Sequence, residues 1–296
     1  AIAIYGEKME SEIVIQRYMN LSKFLFLLQN SSLFLPKMSI FDDQLEGGLT
    51  ANDYLKKSND AAILDLSLNG FWPVSNETSK EREERLKNAN SLDQQLKEST
   101  FDTPFGSFLK DDVQDIFPKC REHIYVNCWH RSAFECSAMW QLYGAERNSV
   151  CIFTTAGKLN QQLLDESSTY KVQLEEVHYL DHAVASFDER AIDPFVSKSL
   201  AFSFEKELRL VAYNPCANIA SSGNNDLPGI KIGLRSLSEL IDKIVVSPNS
   251  ESWFKECVEN LCRQYNLNVE VEKSSLSRER TESFWSAMEQ LQKNGL

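Results

Sequence analysis

Apolar residues recur at two spacings along this chain, and the switches between those spacings divide it into elements. Residues 13–18 are short and β-branched and predict a strand that ends in Arg17-Tyr18, a cation beside an aromatic ring. Asn20 follows as an N-cap, and Phe24, Leu25 and Leu28 at helical spacing predict a helix over 21–28. Residues 32–36 read as a second strand, and Phe41-Asp42-Asp43 and Gly47-Gly48 as loop. Further on, Ile124, Val126 and Cys128 alternate with Tyr125, Asn127 and Trp129, which predicts a strand over 124–129. Ser132 with Glu135 three residues later is a capping-box pattern and Gly144 a stop, so a helix is expected between them. Other strands are expected at 150–154, 172–179, 205–213, 230–234, 244–247 and 269–272, and helices at 188–201, 250–265 and 281–293.

Between Thr50 and Lys119 the pattern turns charged and helix-prone, with Glu81-Arg82-Glu83-Glu84-Arg85 as its most polar stretch and no sustained β alternation. Residues 50–119 therefore read as a helical insertion whose charges form a solvated face. The chain as a whole, 1–296, reads as a single domain closed by a C-terminal helix within 277–296. Strands and helices mix without regular βαβ alternation. That order predicts an α+β fold with a mixed, largely antiparallel central sheet and flanking helices.

Composition narrows the functional classes. With 42% hydrophobic residues a substantial core is expected, and a net charge of −12 opposes general binding to a phosphate backbone. No apolar run reaches the roughly 20 residues of a membrane span, and the first residues do not read as a secretory leader. Seven cysteines, an odd number without a compact framework, point to a reducing cytoplasm. Cys120, His123, Cys128, His130 and Cys136 lie close in sequence but lack a Cys-x-x-Cys or a recognised His pair, so no metal site is expected. Gly-rich phosphate loops and a Gly-x-Ser-x-Gly elbow are likewise absent from the sequence.

The densest chemistry lies in Glu205-x-Glu207-x-Arg209. On a strand these three side chains share one face, two carboxylates and a guanidinium within roughly 14 Å. Such a face is either a site or a ladder of mutually satisfied ions. Arg17 and the 129–143 segment supply possible company: free N–H groups at a capped helix start suit a phosphate, and Trp140 and Tyr143, three apart, offer a ring for stacking or a core stripe.

Two resemblances follow. Gln16-Arg17-Tyr18-Met19 with Lys23-Phe24-Leu25, Ser32-Leu33-Phe34 leading to Phe41-Asp42-Asp43 and Glu46-Gly47, and Cys128-Trp129-His130 through Met139-Trp140-Gln141-Leu142-Tyr143 carry the first. So do Phe204 to Arg209, Val246-Ser247-Pro248 before Trp253-Phe254, and Ser274-Ser275-Leu276. In these motifs the chain resembles the bacterial proteins called domain of unknown function 2971, which implies kinship without an activity. The second resemblance lies in the order of the parts: an arginine ending a first strand, a strand running into a Ser-capped helix with an aromatic, then Glu-x-Glu.

That order is similar to the ADP-ribosyltransferases. It implies NAD as substrate, with Arg17 on its phosphates, Ser132 as the middle hydroxyl, and Tyr143 or Trp140 as the stacking ring. Glu207 is then the catalytic carboxylate and Glu205 the group that activates the acceptor, with Arg209 beside them at the nucleotide. The middle motif departs from the pattern, reading Trp129-His130-Arg131-Ser132 in place of a Ser-Thr-Ser run. The implied activity is an NAD-consuming transferase or glycohydrolase, a bacterial toxin or antiphage effector, with a protein or nucleic acid as acceptor and a cleft between two halves of the sheet. Two alternatives stay open. One is a non-enzymatic module that binds a nucleotide or protein. The other is a nuclease holding Mg²⁺ on Asp42, Asp43, Glu205 and Glu207.

Overall fold

The structure is a computed structural model that describes residues 11–43, 45–53, 75–98, 100–109, 112–144, 147–164, 169–187, 190–221 and 225–277, with 284–285, 288–289 and 291–292. In chain order its strands are β1 (Val14–Asn20), β2 (Ser32–Pro36), β3 (Thr100–Thr103), β4 (Gly106–Leu109), β5 (Ile124–Arg131), β6 (Ser149–Thr155) and β7 (Lys171–Glu176). They continue as β8 (His178–Leu180), β9 (Ser197–Ser199), β10 (Glu207–Tyr213), β11 (Gly229–Gly233), β12 (Lys243–Val246) and β13 (Glu270–Lys273). The helices are α1 (Leu21–Asn30), α2 (Ser79–Glu98), α3 (Val113–His123), α4 (Ser137–Tyr143), α5 (Ala156–Gln162), α6 (Leu237–Leu240) and α7 (Phe254–Gln264).

Seven strands form one mixed sheet in the order β13-β12-β6-β1-β5-β10-β7, antiparallel throughout except for β12 and β13. The expected α+β class with a mixed, largely antiparallel sheet is therefore found. Helix α1 illustrates why the elements form where they do. The Asn20 side chain accepts from Lys23 N at 3.0 Å, and Ser31 closes the helix in the left-handed conformation at φ 45°. Phe24, Leu27 and Leu28 turn inward, each burial stabilising by roughly 1.5–3 kcal/mol.

Alternation along the strands gives the sheet two unlike faces. On one, Ile15, Met19, Trp129, Ile152, Leu208 and Leu210 join a single large core under α1, β2, α5 and α7. On the other, two separate cores form. Tyr18, Met139, Trp140, Cys151 and Phe153 pack beneath α4, while Phe117, Val126, Phe195 and Val211 pack beneath α3.

Several expectations are corrected. The helix expected over 188–201 is replaced by a 3-10 turn at Asp193–Val196, strand β9 and a second 3-10 turn at Leu200–Glu205. Pro194 opens the first turn, and β9 is drawn into a parallel ladder with β8, so tertiary pairing overrides local helix preference. The strand expected over 172–179 breaks at Val177, whose N–H donates to Glu207 O at 3.1 Å. Helix α4 begins at Ser137 behind an N-cap at Cys136, five residues after Ser132.

Within 50–119, α2 is helical as read from sequence, but β3 and β4 form a hairpin there, and α3 runs past Lys119 to His123. Four-residue strands are too short to show a period. Residues 54–74 lie outside the described residues, as does most of the C-terminal helix expected within 277–296; Phe284, Trp285, Met288, Glu289, Leu291 and Gln292 are helical.

Candidate functional site

Strands β1 and β5 pair only at Ile15↔Arg131 and Gln16↔His130, whereas β1 with β6 and β5 with β10 each pair along seven residues. Beyond Gln16 the two strands part, and the sheet divides into a β13-β12-β6-β1 half and a β5-β10-β7 half. The parting coincides with the gap between the two smaller cores. Buried polar residues fill that seam: Gln16, His130, Lys198, Glu205, Glu207 and Arg209.

Lys198 is the hub of the seam. Its ammonium lies 2.5 Å from Glu205 Oε2, 2.9 Å from Glu207 Oε1 and 3.1 Å from Glu46 Oε1. Arg209 closes the network from behind, with Nε 2.7 Å from Glu207 Oε2 and Nη2 2.8 Å from Glu46 Oε2. Glu46 is aimed by Gly47, which sits at φ 74° where a Cβ would meet Arg121 Cγ and Met38 Sδ, each at 2.9 Å. Tyr143 OH donates to Glu205 Oε1 at 3.1 Å, and Glu207 N donates to Tyr179 OH at 2.8 Å. His130 Nδ1 lies 2.5 Å from the Glu205 carbonyl; a carbonyl only accepts, so the proton sits on Nδ1 and Nε2 is the acceptor.

The two carboxylates sit in different electrostatic settings. Burial pushes Glu205 up to about 7, reinforced by its hydrogen bond to Glu207 and opposed by Lys198. Glu207 feels burial too, but Arg209, the hydrogen bond from Glu205 and the Lys198 charge hold it well below the usual carboxylate range. The pair therefore keeps one carboxylate ionised and one poised near neutrality, a separation that acid–base chemistry uses.

A cleft of about 160 Å³ opens where β1 and β5 part, lined among others by Arg17, Trp129, His130, Tyr143, Glu205 and Glu207. Arg17 is half buried, its guanidinium carbon 5.9 Å from the centre of the Trp129 ring, and no carboxylate among the described residues pairs with it. Burial draws its pKa down to about 10. A half-buried guanidinium without an acidic partner is costly to hold and complements an incoming anion.

Of the residues singled out from sequence, Arg17, Tyr143, Glu205 and Glu207 thus meet at one cleft. Glu205 does so from the end of a 3-10 turn rather than from β10, which begins at Glu207. The others are placed elsewhere. Trp140 is core: its ring meets Tyr18 edge to face at 4.8 Å and its Nε1 donates to Glu135 Oε2, so it is not free to stack on a ligand. Ser132 shapes a tight turn, its Oγ accepting from Phe134 N at 3.1 Å and its carbonyl accepting from the cleft residue Gln16 at 2.6 Å, and it does not itself line the cleft. Glu135 does not close a capping box; it accepts from Ser274 Oγ, Ser275 N and Ser275 Oγ. Arg209 is fully enclosed behind the carboxylates, so it positions Glu207 and cannot touch a nucleotide in the cleft.

Lys198 and Glu46 join the network without any pattern in the sequence that marks them as site residues. Lys198 lay inside an expected helix and carried no local signal. Asp42 and Asp43 do not line the cleft, and among the described residues no group of His, Cys, Asp and Glu is arranged to hold a metal. Where Glu46, Glu205 and Glu207 converge, the Lys198 ammonium stands in the place of a cation. No helix among the described residues is long and apolar enough to cross a membrane. Comparisons with protein-family models, curated proteins and solved structures find no match for this chain.

Proposed function

We propose that the chain is an NAD-consuming enzyme of ADP-ribosyltransferase-like design, acting as a transferase on a protein or nucleic acid or as an NAD glycohydrolase, in a bacterial toxin or antiphage role. The observation that carries this reading is that Arg17, Tyr143, Glu205 and Glu207, remote in sequence, line one cleft at the division of the sheet. The sequence order of these residues, similar to that of the ADP-ribosyltransferases, supports it further.

The chemistry balances with these groups alone. The bond between ribose C1′ and the nicotinamide nitrogen breaks with its electron pair leaving on nicotinamide, and the ribosyl carbon becomes oxocarbenium-like. Glu207, ionised, stabilises that charge and accepts from the ribose hydroxyl. An acceptor O–H, water in the glycohydrolase case, attacks C1′ while its proton passes to Glu205. Arg17 receives phosphate oxygens, and Tyr143 borders the leaving ring.

The test is release of free nicotinamide from NAD by the purified protein. Wild type is expected to release it, with kcat at least about 100-fold lower for Glu207→Gln in a protein that still melts cooperatively. Release at equal rates by both proteins, or none from wild type with any acceptor, ends the proposal.

A second reading has its own observation: both carboxylates already have cation partners, Lys198 for each and Arg209 for Glu207. In a non-catalytic module this network holds β10 against β9 and the cleft serves binding alone. That reading expects Glu207→Gln to lose stability without changing any turnover.

A further inference from the structure

A second and larger hollow of about 520 Å³ lies on the large-core face of the sheet, bounded by β1, α1 and β2. Met19, Leu27, Leu33, Phe34, Pro36 and Ile40 make most of its wall, and Arg17 and Lys23 are its charged groups. Its volume lies within the range of small-molecule sites, roughly 300–1,000 Å³. Neither Glu205 nor Glu207 borders it.

Charge and wall chemistry together define the occupant. Alternation along β1 puts Arg17 on the face of Ile15 and Met19, the face of the large core, with its guanidinium carbon 5.9 Å from the centre of the Trp129 ring. Among the described residues neither Arg17 nor Lys23 has an acidic partner. A guanidinium on the core face of a strand is costly until an anion meets it. The wall around that charge does not suit a flat polar ring. Phe26, the other ring at the hollow, already carries the Lys231 ammonium 5.0 Å from its centre and meets Phe34 at 77°. Ser22 Oγ donates to Asn20 Oδ1 at 2.8 Å, and Ser32 Oγ is enclosed away from the hollow. What remains is an irregular apolar surface, which a flexible hydrocarbon chain fills without needing a stacking face or matched hydrogen bonds.

We infer that this hollow binds an aliphatic monocarboxylate of about eight to twelve carbons, its chain against Leu27, Leu33 and Ile40 and its carboxylate on Arg17 with Lys23 beside it. The site goes beyond the proposed reaction and does not depend on it, since the ligand is held on the far side of Arg17 from the buried carboxylates and needs no turnover.

The experiment is calorimetric titration with hexanoate, octanoate and decanoate, and with octan-1-ol as the uncharged match for octanoate. Each added methylene is expected to tighten binding about three- to fourfold, so that decanoate binds about tenfold tighter than octanoate. Wild type is expected to prefer octanoate over octan-1-ol at least tenfold, and Arg17→Met to erase most of that preference. Ile40→Glu sets a carboxylate in the wall at a position that is 56% exposed, where the core does not depend on it, and is expected to weaken octanoate at least fivefold. It also places the ligand in this hollow if Arg17→Met fails to fold. Affinity that does not change with chain length, equal binding of octanoate and octan-1-ol, octanoate affinity unmoved by both variants, or no decanoate binding at millimolar concentration overturns the inference. Nicotinamide release enters none of these readings, so the loss of one proposal leaves the other standing.

Discussion

Glu205 and Glu207 reach the same Lys198 ammonium, at 2.5 and 2.9 Å, although only Glu207 belongs to β10. The residue between them makes this possible. Lys206 is left-handed at φ 43°, and it turns the chain sharply enough to bring a 3-10 residue and a strand residue to one point. A non-glycine residue in that conformation costs about 1 kcal/mol or more. Lys206→Gly removes that cost and adds unfolded-chain entropy, so we expect a change in unfolding free energy within about 1 kcal/mol and an intact site. Lys206→Val, β-branched and hostile to positive φ, is expected to destabilise by more than 1 kcal/mol and to separate the two carboxylates. Urea denaturation of the two variants reads the difference.

The raised carboxyl of Glu205 links stability to pH with a definite sign. Its folded pKa, about 7, lies above the ordinary carboxylate value near 4.5. Its contribution to stability is therefore complete below that ordinary value and is lost as pH rises through about 7. Glu207 has the opposite sign: its depressed carboxyl contributes above the ordinary range and loses that contribution only as the solution becomes strongly acidic. We expect wild type to lose stability relative to Glu205→Gln between pH 4.5 and 7, measured as the urea midpoint at each pH. If Glu205 takes the acceptor's proton, kcat rises across the same window in wild type and is flat in Glu205→Gln. A parallel pH profile in the two proteins removes that role.

How much of this was legible in the sequence follows from where the signals are local. Ile124 to Trp129 alternates and is a strand; Phe24 and Leu28 recur at helical spacing and lie on the buried face of α1. Arg17, Tyr143, Glu205 and Glu207 carry chemistry that a purely structural position does not need, and they line one cleft, although Arg17 sits mid-strand in β1 and Glu205 at the end of a 3-10 turn. Glu205 and Glu207 are aligned by the left-handed Lys206 between a 3-10 turn and β10, not by strand alternation. Lys198 and Glu46 were invisible for a different reason. Glu46 reaches Arg209 from 163 residues away on the Gly47 turn, and Lys198, although only seven residues from Glu205, is brought to it by the parallel β8–β9 ladder. Trp140 shows the reverse failure, since an aromatic at helical spacing looks the same whether it faces a ligand or, as here, Tyr18.

Removing one partner from a buried ion network exposes the desolvation that the network offsets. Arg209 is fully buried and holds both Glu207 and Glu46. Arg209→Met leaves Lys198 to balance three carboxylates, and we expect a loss of about 3–5 kcal/mol, the usual range when a buried pair is broken. The loss should shrink at low pH, where protonation of Glu205 reduces the excess negative charge. An effect below about 1 kcal/mol at pH 8 would mean that water enters the seam and the network is not dry.

Arg17 is expected to behave in the opposite way, and this separates a binding group from a structural one. It is half buried with no acidic partner among the described residues, and burial lowers its pKa to about 10. Holding it there opposes folding, since a charge taken partly out of water without a counter-ion is unfavourable. Arg17→Met keeps an unbranched apolar stem while removing the guanidinium and its charge. We expect its unfolding midpoint to equal or exceed that of wild type, while affinity for a phosphate-bearing nucleotide falls by roughly 10–100-fold, about 1.4–2.8 kcal/mol. Thermal melts with and without a saturating phosphate-bearing nucleotide check both parts: the ligand-induced rise in Tm disappears in the variant and the ligand-free Tm does not fall. A variant that melts well below wild type without ligand would instead assign Arg17 to the framework, and the cleft would lose its anion-binding group.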